Sequence, residues 1–349
     1  MICFLLAPAF FSNTMPMNSK EAHYQENALL SVIVPCYNEA DNLPLFYQHI
    51  LPVCRSLCEQ GSISDYEILL VNDGSKDRTL PTMRALSEQD PHVFFLSFTR
   101  NFGKEAAMLA GLSHSRGDFV TIMDADLQDP PELLPEMFSV LHNGEGNECV
   151  ATRRSSRKGE PPLRSLFANL FYWLINLISD VKIVSGARDF RLMTRRMVDS
   201  ILSLHEKSRF SKGLFVWPGY QTAYLEYPNI ERTRGRSGWS FWRLVKYSLD
   251  GITAFSVAPL RLASITGCLL CIGSLLAALY FVVQKLTVGI PVQGYALLMC
   301  SIYFLGGIQL LGIGILGQYL GKIFIESKRR PDYVIMESCL APSHPSTAE

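Results

Sequence analysis

Residues 120–135 read VTIMDADLQDPPELLP. Four apolar or β-branched residues, Val120 to Met123, run into Asp124, Asp126, Gln128 and Asp129, and then into a Pro-Pro pair. A short apolar run bounded by such residues reads as a buried strand that opens into a polar loop. The stretch contains no Lys or Arg. If the chain stays extended through Asp124 and Asp126, both side chains point to the same face. Two carboxylates sharing a site repel, and one takes up a proton unless a cation lies between them. Mg²⁺ or Mn²⁺ is the natural partner, because these ions prefer oxygen ligands and keep positions open for phosphate. Gln128 would add a carbonyl ligand or hold a water. A solvated acidic loop is the alternative.

The same strand-then-polar-loop pattern repeats outward from this stretch. Strands are expected at residues 29–35, 66–73, 93–98, 119–124 and 148–154, and helices at 41–59, 79–88, 103–115 and 131–142. The strands are continuously apolar rather than alternating. That predicts an α/β fold with a mostly parallel sheet covered by helices on both faces. Each strand ends in polar chemistry: PCYNE, NDGS, TRN, DAD and TRR. Ligands of such sheets bind beyond the carboxyl ends of the strands.

The formal net charge of the 349-residue chain is zero, so it carries no charge signature of a nucleic-acid partner. The charge is nevertheless uneven. Residues 118–148 hold eight acids and no Lys or Arg. Arg153, Arg154, Arg157, Lys158 and Arg164 follow, and Arg232, Arg234, Arg236, Arg243 and Lys246 form a second basic group. An acidic patch beside two basic ones suggests a metal site next to an anion site. The nine cysteines show no zinc spacing and read as reduced thiols facing the cytosol.

Residues 262–283 and 295–317 carry no charge over 22 and 23 residues, each long enough to cross a bilayer. Joined by a short turn, they predict a transmembrane hairpin. Arg261 before it and Lys322, Lys328, Arg329 and Arg330 after it put both ends in the cytoplasm. Residues 162–179 and 238–255 mix apolar and aromatic residues with a few basic ones, as helices in the membrane interface do. The expected organisation is an N-terminal extension (1–27), an α/β domain (28–230), a basic loop with an interfacial helix (231–260), the hairpin (261–321) and a cytoplasmic tail (322–349).

SVIVPCYNEADNL (31–43), YEILLVNDGSKDRT (66–79), residues 99–132 and SGARDFRLMTRR (185–196) occur in that order. Together they resemble the family 2 glycosyltransferases of GT-A fold, in particular the polyprenyl-phosphate type: bacterial bactoprenol glucosyltransferases and dolichol-phosphate mannose synthase. The resemblance covers about residues 28–325 and implies roles position by position. Pro35, Tyr37 and Glu39 would cradle the nucleotide base and ribose. Asp73 would bind the base edge, with Gly74 and Ser75 letting the backbone approach. Asp124, Asp126 and Gln128 would hold the metal against a diphosphate. Asp189 matches the residue usually assigned as base, and would either take a proton or position the acceptor. Arg153, Arg154, Arg164, Arg232 and Ser237 would bind a lipid phosphate. Gly238 stands where the family often has Lys, which puts one phosphate contact in doubt.

The implied enzyme is an inverting hexosyltransferase of the bacterial inner membrane. It would span the membrane more than once, with its catalytic domain and both termini cytoplasmic. It would move a hexose, glucose first, from a UDP-sugar to undecaprenyl phosphate, for surface glycan modification such as that of lipopolysaccharide or the cell wall. Gly306, Gly307, Gly312, Gly314 and Gly317 would let helices of neighbouring chains pack, giving a homo-oligomer. A processive or other-acceptor transferase and a non-catalytic membrane scaffold are the alternatives.

Overall fold

The computed structural model describes residues 27–144, 146–154, 186–207, 209–227, 256–287 and 295–340, with 175–177, 182, 184 and 253 between them. Arg164, Arg232 and Ser237, both expected interfacial helices apart from residues 175–177 and 253, and the N-terminal extension before residue 27 lie outside the described residues.

The chain opens with β1 (Leu29–Cys36), α1 (Leu43–Glu59), β2 (Asp65–Asn72), α2 (Thr79–Gln89), β3 (Val93–Phe98), α3 (Lys104–His114) and β4 (Phe119–Ile122). A 3₁₀ turn at Pro131–Leu133 leads into α4 (Leu134–Asn143), then β5 (Asn147–Arg154). After these come β6 (Ala187–Thr194), α5 (Arg195–Leu202), a short α6 (Ser211–Leu214) and β7 (Gln221–Tyr227). Two long helices, α7 (Ala258–Thr287) and α8 (Tyr295–Ser327), precede β8 (Ile335–Ser338).

Among the described residues the strands form one eight-stranded sheet in the order β7-β5-β6-β4-β1-β2-β3-β8. The pairs β1–β2, β1–β4, β2–β3 and β5–β7 are parallel, whereas β6 runs antiparallel to β4 and β5, and β8 antiparallel to β3. The mostly parallel sheet expected from the continuous apolar runs is present. β1 shows why: Leu30 to Cys36 is buried at every position, as a strand covered on both faces must be. One face is covered by α1 through Leu43, Phe46, Ile50, Val53, Cys54 and Leu57, an apolar stripe at helical spacing. The other face takes α3, whose residues Ala106 to Leu112 are all buried. Gly111 permits that close approach, because a Cβ there would lie 2.2 Å from Ile33 Cγ2.

The strand of the opening stretch is shorter than expected. It ends at Ile122 rather than Asp124, and Leu127 takes a left-handed φ of 56°. Asp126 therefore lies in a turn, and the same-face argument from an extended chain does not apply to it. The carboxylates beyond Ile122 are instead carried by a folded loop, in which the backbone N–H of Gln128 donates to Asp126 Oδ1 at 3.2 Å.

The two charge-free segments lie within α7 and α8. Among the described residues one stretch, Phe304–Ser327, is long and apolar enough to cross a membrane, and Ala258–Ser274 is a shorter apolar stretch. Of the expected pair of crossings, the second is the one that meets this length and apolarity among the described residues. The chain then returns to the sheet. Glu326 accepts from the Lys207 backbone N–H at 2.7 Å, Asp332 pairs with Lys207 Nζ at 2.9 Å, and Tyr333 stacks on Phe98. β8 follows on the edge of β3, and Arg84 grips Glu337 with two bonds of 2.8 and 2.5 Å. An open sheet edge is thus covered.

Candidate active site

The carboxyl ends of β1, β2 and β4 and the amino end of the antiparallel β6 converge on one rim of the sheet. The loops after β1 and β2 are fastened together by side chain to backbone bonds. Ser75 Oγ accepts from Asn38 N at 2.9 Å, Thr79 Oγ1 from Glu39 N at 2.9 Å, and Asn38 Oδ1 from Lys76 N at 2.9 Å. Pro35 pairs with Val71 at the strand ends, and Tyr37 beyond it stands 44% exposed. Glu39 accepts from Asn42 Nδ2 at 2.5 Å. Gly74 turns at φ 64°, and a Cβ on it would meet the Arg100 backbone at 2.2 Å. The NDGS loop is therefore wedged against the loop after β3, and only glycine fits there.

Asp73 is buried and faces that third loop. Its carboxylate accepts from Phe102 N at 2.6 Å and from Gly103 N at 2.9 and 3.1 Å. Burial pushes its carboxyl up, against the pull of those bonds and of Arg100. Its role in the fold is to hold the entry to α3, and so to fix where Lys104 begins.

Lys104 supplies what the opening stretch lacked. Its ammonium lies 2.7 and 2.9 Å from the two oxygens of Asp124 and 2.6 Å from Asp189 Oδ2. The alternation of β6 explains the meeting. Arg188, Phe190 and Leu192 face one side of the sheet, while Asp189, Arg191 and Met193 face the side that α3 covers. Alternation thus separates Asp189 from Arg188, whereas Arg191 shares its face and its charge acts on the carboxylate. Burial would raise the Asp189 carboxyl, but Lys104, then Lys212 and Arg191, outweigh it and hold the group well below the usual carboxylate range. Burial would likewise lower the Lys104 ammonium, and Asp124 and Asp189 hold it above its ordinary value.

A second cation balances the rest of the stretch. Arg188 Nε donates to Asp129 Oδ1 at 2.9 Å and Arg188 Nη2 to Gln128 Oε1 at 3.3 Å. Asp129 is 1% exposed and also accepts from the Tyr227 hydroxyl. Asp124 and Asp129, two of the carboxylates that looked unbalanced in sequence, thus have protein counter-ions from α3 and β6. The residues that sequence reasoning missed are Lys104, Asp129, Arg188 and Tyr227. One signal was present: Lys104 follows the third strand's polar end, the same rim where the other loops gather.

Asp124, Asp126 and the Gln128 carbonyl make a set of hard oxygen donors, which suits Mg²⁺ or Mn²⁺ and not a soft metal. Among the described residues no group of three or more His, Cys, Asp and Glu gathers as a metal cluster. A divalent ion would therefore take a partial protein shell of the kind Mg²⁺ uses beside phosphate oxygens. Of the expected phosphate ligands, Arg153 lies at the end of β5, 3.7 Å from Glu226 and 42% exposed. Arg154 ends the same strand, opposite Tyr227.

Glu105, next to Lys104, accepts from Ser211 N at 3.2 Å and from Ser211 Oγ at 2.9 Å. Burial first, and the Asp189 charge second, push its carboxyl from 4.5 up to about 7. Between these values the folded state binds more protons than the unfolded one. This group therefore favours folding at low pH, and that contribution is lost as pH rises through the window. Glu105→Gln keeps an acceptor for Ser211 and removes the charge. Its melting temperature at pH 8 is expected to exceed that of the wild type by an amount worth about 1 to 3 kcal/mol, with the gap closing below pH 5. Thermal melts across pH check this, and a gap that does not depend on pH would refute it.

The profile of Glycosyl transferase family 2 matches residues 31–202. The bactoprenol glucosyl transferase of Shigella phage SfV is 43% identical over 308 residues, 88% of this chain and 97% of that protein. The prophage bactoprenol glucosyl transferase homolog of Escherichia coli K12 is 40% identical over 306 residues, covering 88% and 98%. Among solved structures, the mannosyltransferase PcManGT of Pyrobaculum calidifontis, in complex with GDP-Man and Mn²⁺, is 19% identical with a TM-score of 0.47. It covers 65% of this chain and 64% of that one.

Proposed function

The chain belongs to Glycosyl transferase family 2 and is a glycosyltransferase, and from that premise we propose that it moves glucose from UDP-glucose to undecaprenyl phosphate at the cytoplasmic face of a bacterial inner membrane. The observation that carries this reading is the near full-length similarity, at 43% identity, to a bactoprenol glucosyl transferase. The long apolar helix α8 agrees with it, and we read α7 as a second crossing. Its leucines at 262, 269, 276 and 279 are 61 to 66% exposed, as lipid-facing residues would be. Glycine-lined packing between copies of α8 would make the enzyme a homo-oligomer. The product would be a lipid-linked sugar used later to modify a surface glycan.

In this reading Pro35, Tyr37, Glu39, Asp73, Gly74 and Ser75 receive the nucleotide. Asp124, Asp126 and Gln128 hold Mg²⁺ or Mn²⁺, which when bound supplies positive charge against the leaving diphosphate. The acceptor phosphate is already anionic, so the reaction needs no strong base. Asp189 faces Lys104, with Arg191 and Lys212 near, a cationic surround in which an anionic acceptor is tolerated. Arg153 and Arg154, with Arg164, Arg232 and Ser237, supply the remaining phosphate contacts.

The test is purified full-length protein in detergent, given undecaprenyl phosphate, Mn²⁺ and in turn UDP-glucose, UDP-galactose, UDP-N-acetylglucosamine and GDP-mannose. Mass spectrometry is expected to find one added hexose on the lipid with UDP-glucose. Lipid left unmodified by every donor would overturn the acceptor, and transfer from another donor alone would overturn glucose.

A further inference from the structure

Lys104 stands where a lysine is disfavoured on local grounds. It is the first residue of α3, where the helix dipole presents its positive end and repels cations. Asp73 holds the loop just before it and fixes the helix start. Against that repulsion its ammonium is gripped by two carboxylates from different strands, Asp124 beyond β4 and Asp189 on β6. Without it Asp189 would keep only the charges of Lys212 and Arg191. It lies over both oxygens of Asp124, so a divalent ion on that carboxylate and the ammonium beside it are direct competitors.

We propose that Lys104 is a resident counter-ion that the divalent metal displaces from Asp124, leaving the ammonium on Asp189. The proposal rests on the reading above that Asp124 takes the metal. It assigns Lys104 as a positioning residue: metal loading frees Asp124 and couples the ammonium to the carboxylate on the acceptor side. The same charge keeps the site from binding metal tightly before nucleotide arrives. No bond is made or broken in this exchange, only one cation replaced by another.

The test is Mn²⁺ binding to the full-length protein in detergent without nucleotide, read from the electron paramagnetic resonance signal of free Mn²⁺. Lys104→Met removes the competitor and is expected to bind Mn²⁺ about tenfold more tightly than wild type, whereas Lys104→Arg stays near wild type. Asp189→Asn removes the ammonium's other partner, leaves it wholly on Asp124, and is expected to weaken Mn²⁺ binding about threefold or more. Opposite shifts at the two positions are what exchange of one cation for the other at Asp124 requires. If Lys104→Met does not fold, the Asp189→Asn shift decides. Equal affinities in wild type and both variants would overturn the exchange while leaving the metal reading intact. Absence of Mn²⁺ binding in all of them would overturn both.

Discussion

Asp126→Asn is expected to leave a folded protein whose transfer rate falls at least about a hundredfold, the loss seen when one preorganised charge partner of a transition state is removed. The fold should survive because the bond Asp126 makes within its turn, from Gln128 N at 3.2 Å, needs only a side-chain oxygen, which Asn also has. What would be lost, on the proposed reading, is the negative charge that would hold a divalent ion against the developing charge of a leaving diphosphate. EDTA should reproduce the loss in the wild type, and added Mn²⁺ should reverse it. A lipid-transfer assay run beside a thermal melt separates lost chemistry from lost fold. Full wild-type activity in EDTA would sink the metal role.

The second large effect is at Asp189. Its carboxylate is half-buried against Lys104 and stays ionised across the working range. Asp189→Asn is expected to lower kcat about a hundredfold or more, while the apparent KM for lipid stays within about threefold. That pattern marks a group acting on the reacting acceptor. A KM for lipid that moves most would instead mark a group that only positions the phosphate. Kinetics equal to wild type would remove Asp189 from the reaction altogether.

The sequence made one half of the architecture legible and hid the other for a physical reason. β1 to β5 are continuously apolar and end in Gly, Asp, Asn and Arg, so their burial and rim could be read locally. β6 carries Arg188, Asp189 and Arg191 and does not look like a strand, because its polar residues are matched by partners far along the chain. Asp189 meets Lys104 across 85 positions, and Asp129 meets Tyr227 across 98. Such pairings are set by sheet order, which no local pattern encodes. The same holds for the apparent charge imbalance at 120–135: no cation was near in sequence, yet two were near in space. The end of β4 failed differently. Asp124 continues an apolar run, but the strand ends at Ile122 and Asp126 lies in the turn that follows, so strand alternation does not set where its side chain points.

The eighth strand bears on how the protein is made. β3 finishes at Phe98 and its antiparallel neighbour begins at Ile335, so about 240 residues are synthesised between them. At bacterial translation rates of about 5 to 20 residues per second, that is an interval of roughly 10 to 50 seconds. Throughout it the nascent domain presents an unpaired β3 edge. The ribosome delivers both long apolar helices before it delivers the strand that closes the edge. On the proposed reading α8 is available to the bilayer before the sheet can be completed, and any stall or premature stop within the apolar helices would release a domain with an unpaired border. Cells that make this chain would be expected to keep a chaperone on that border until the last residues emerge.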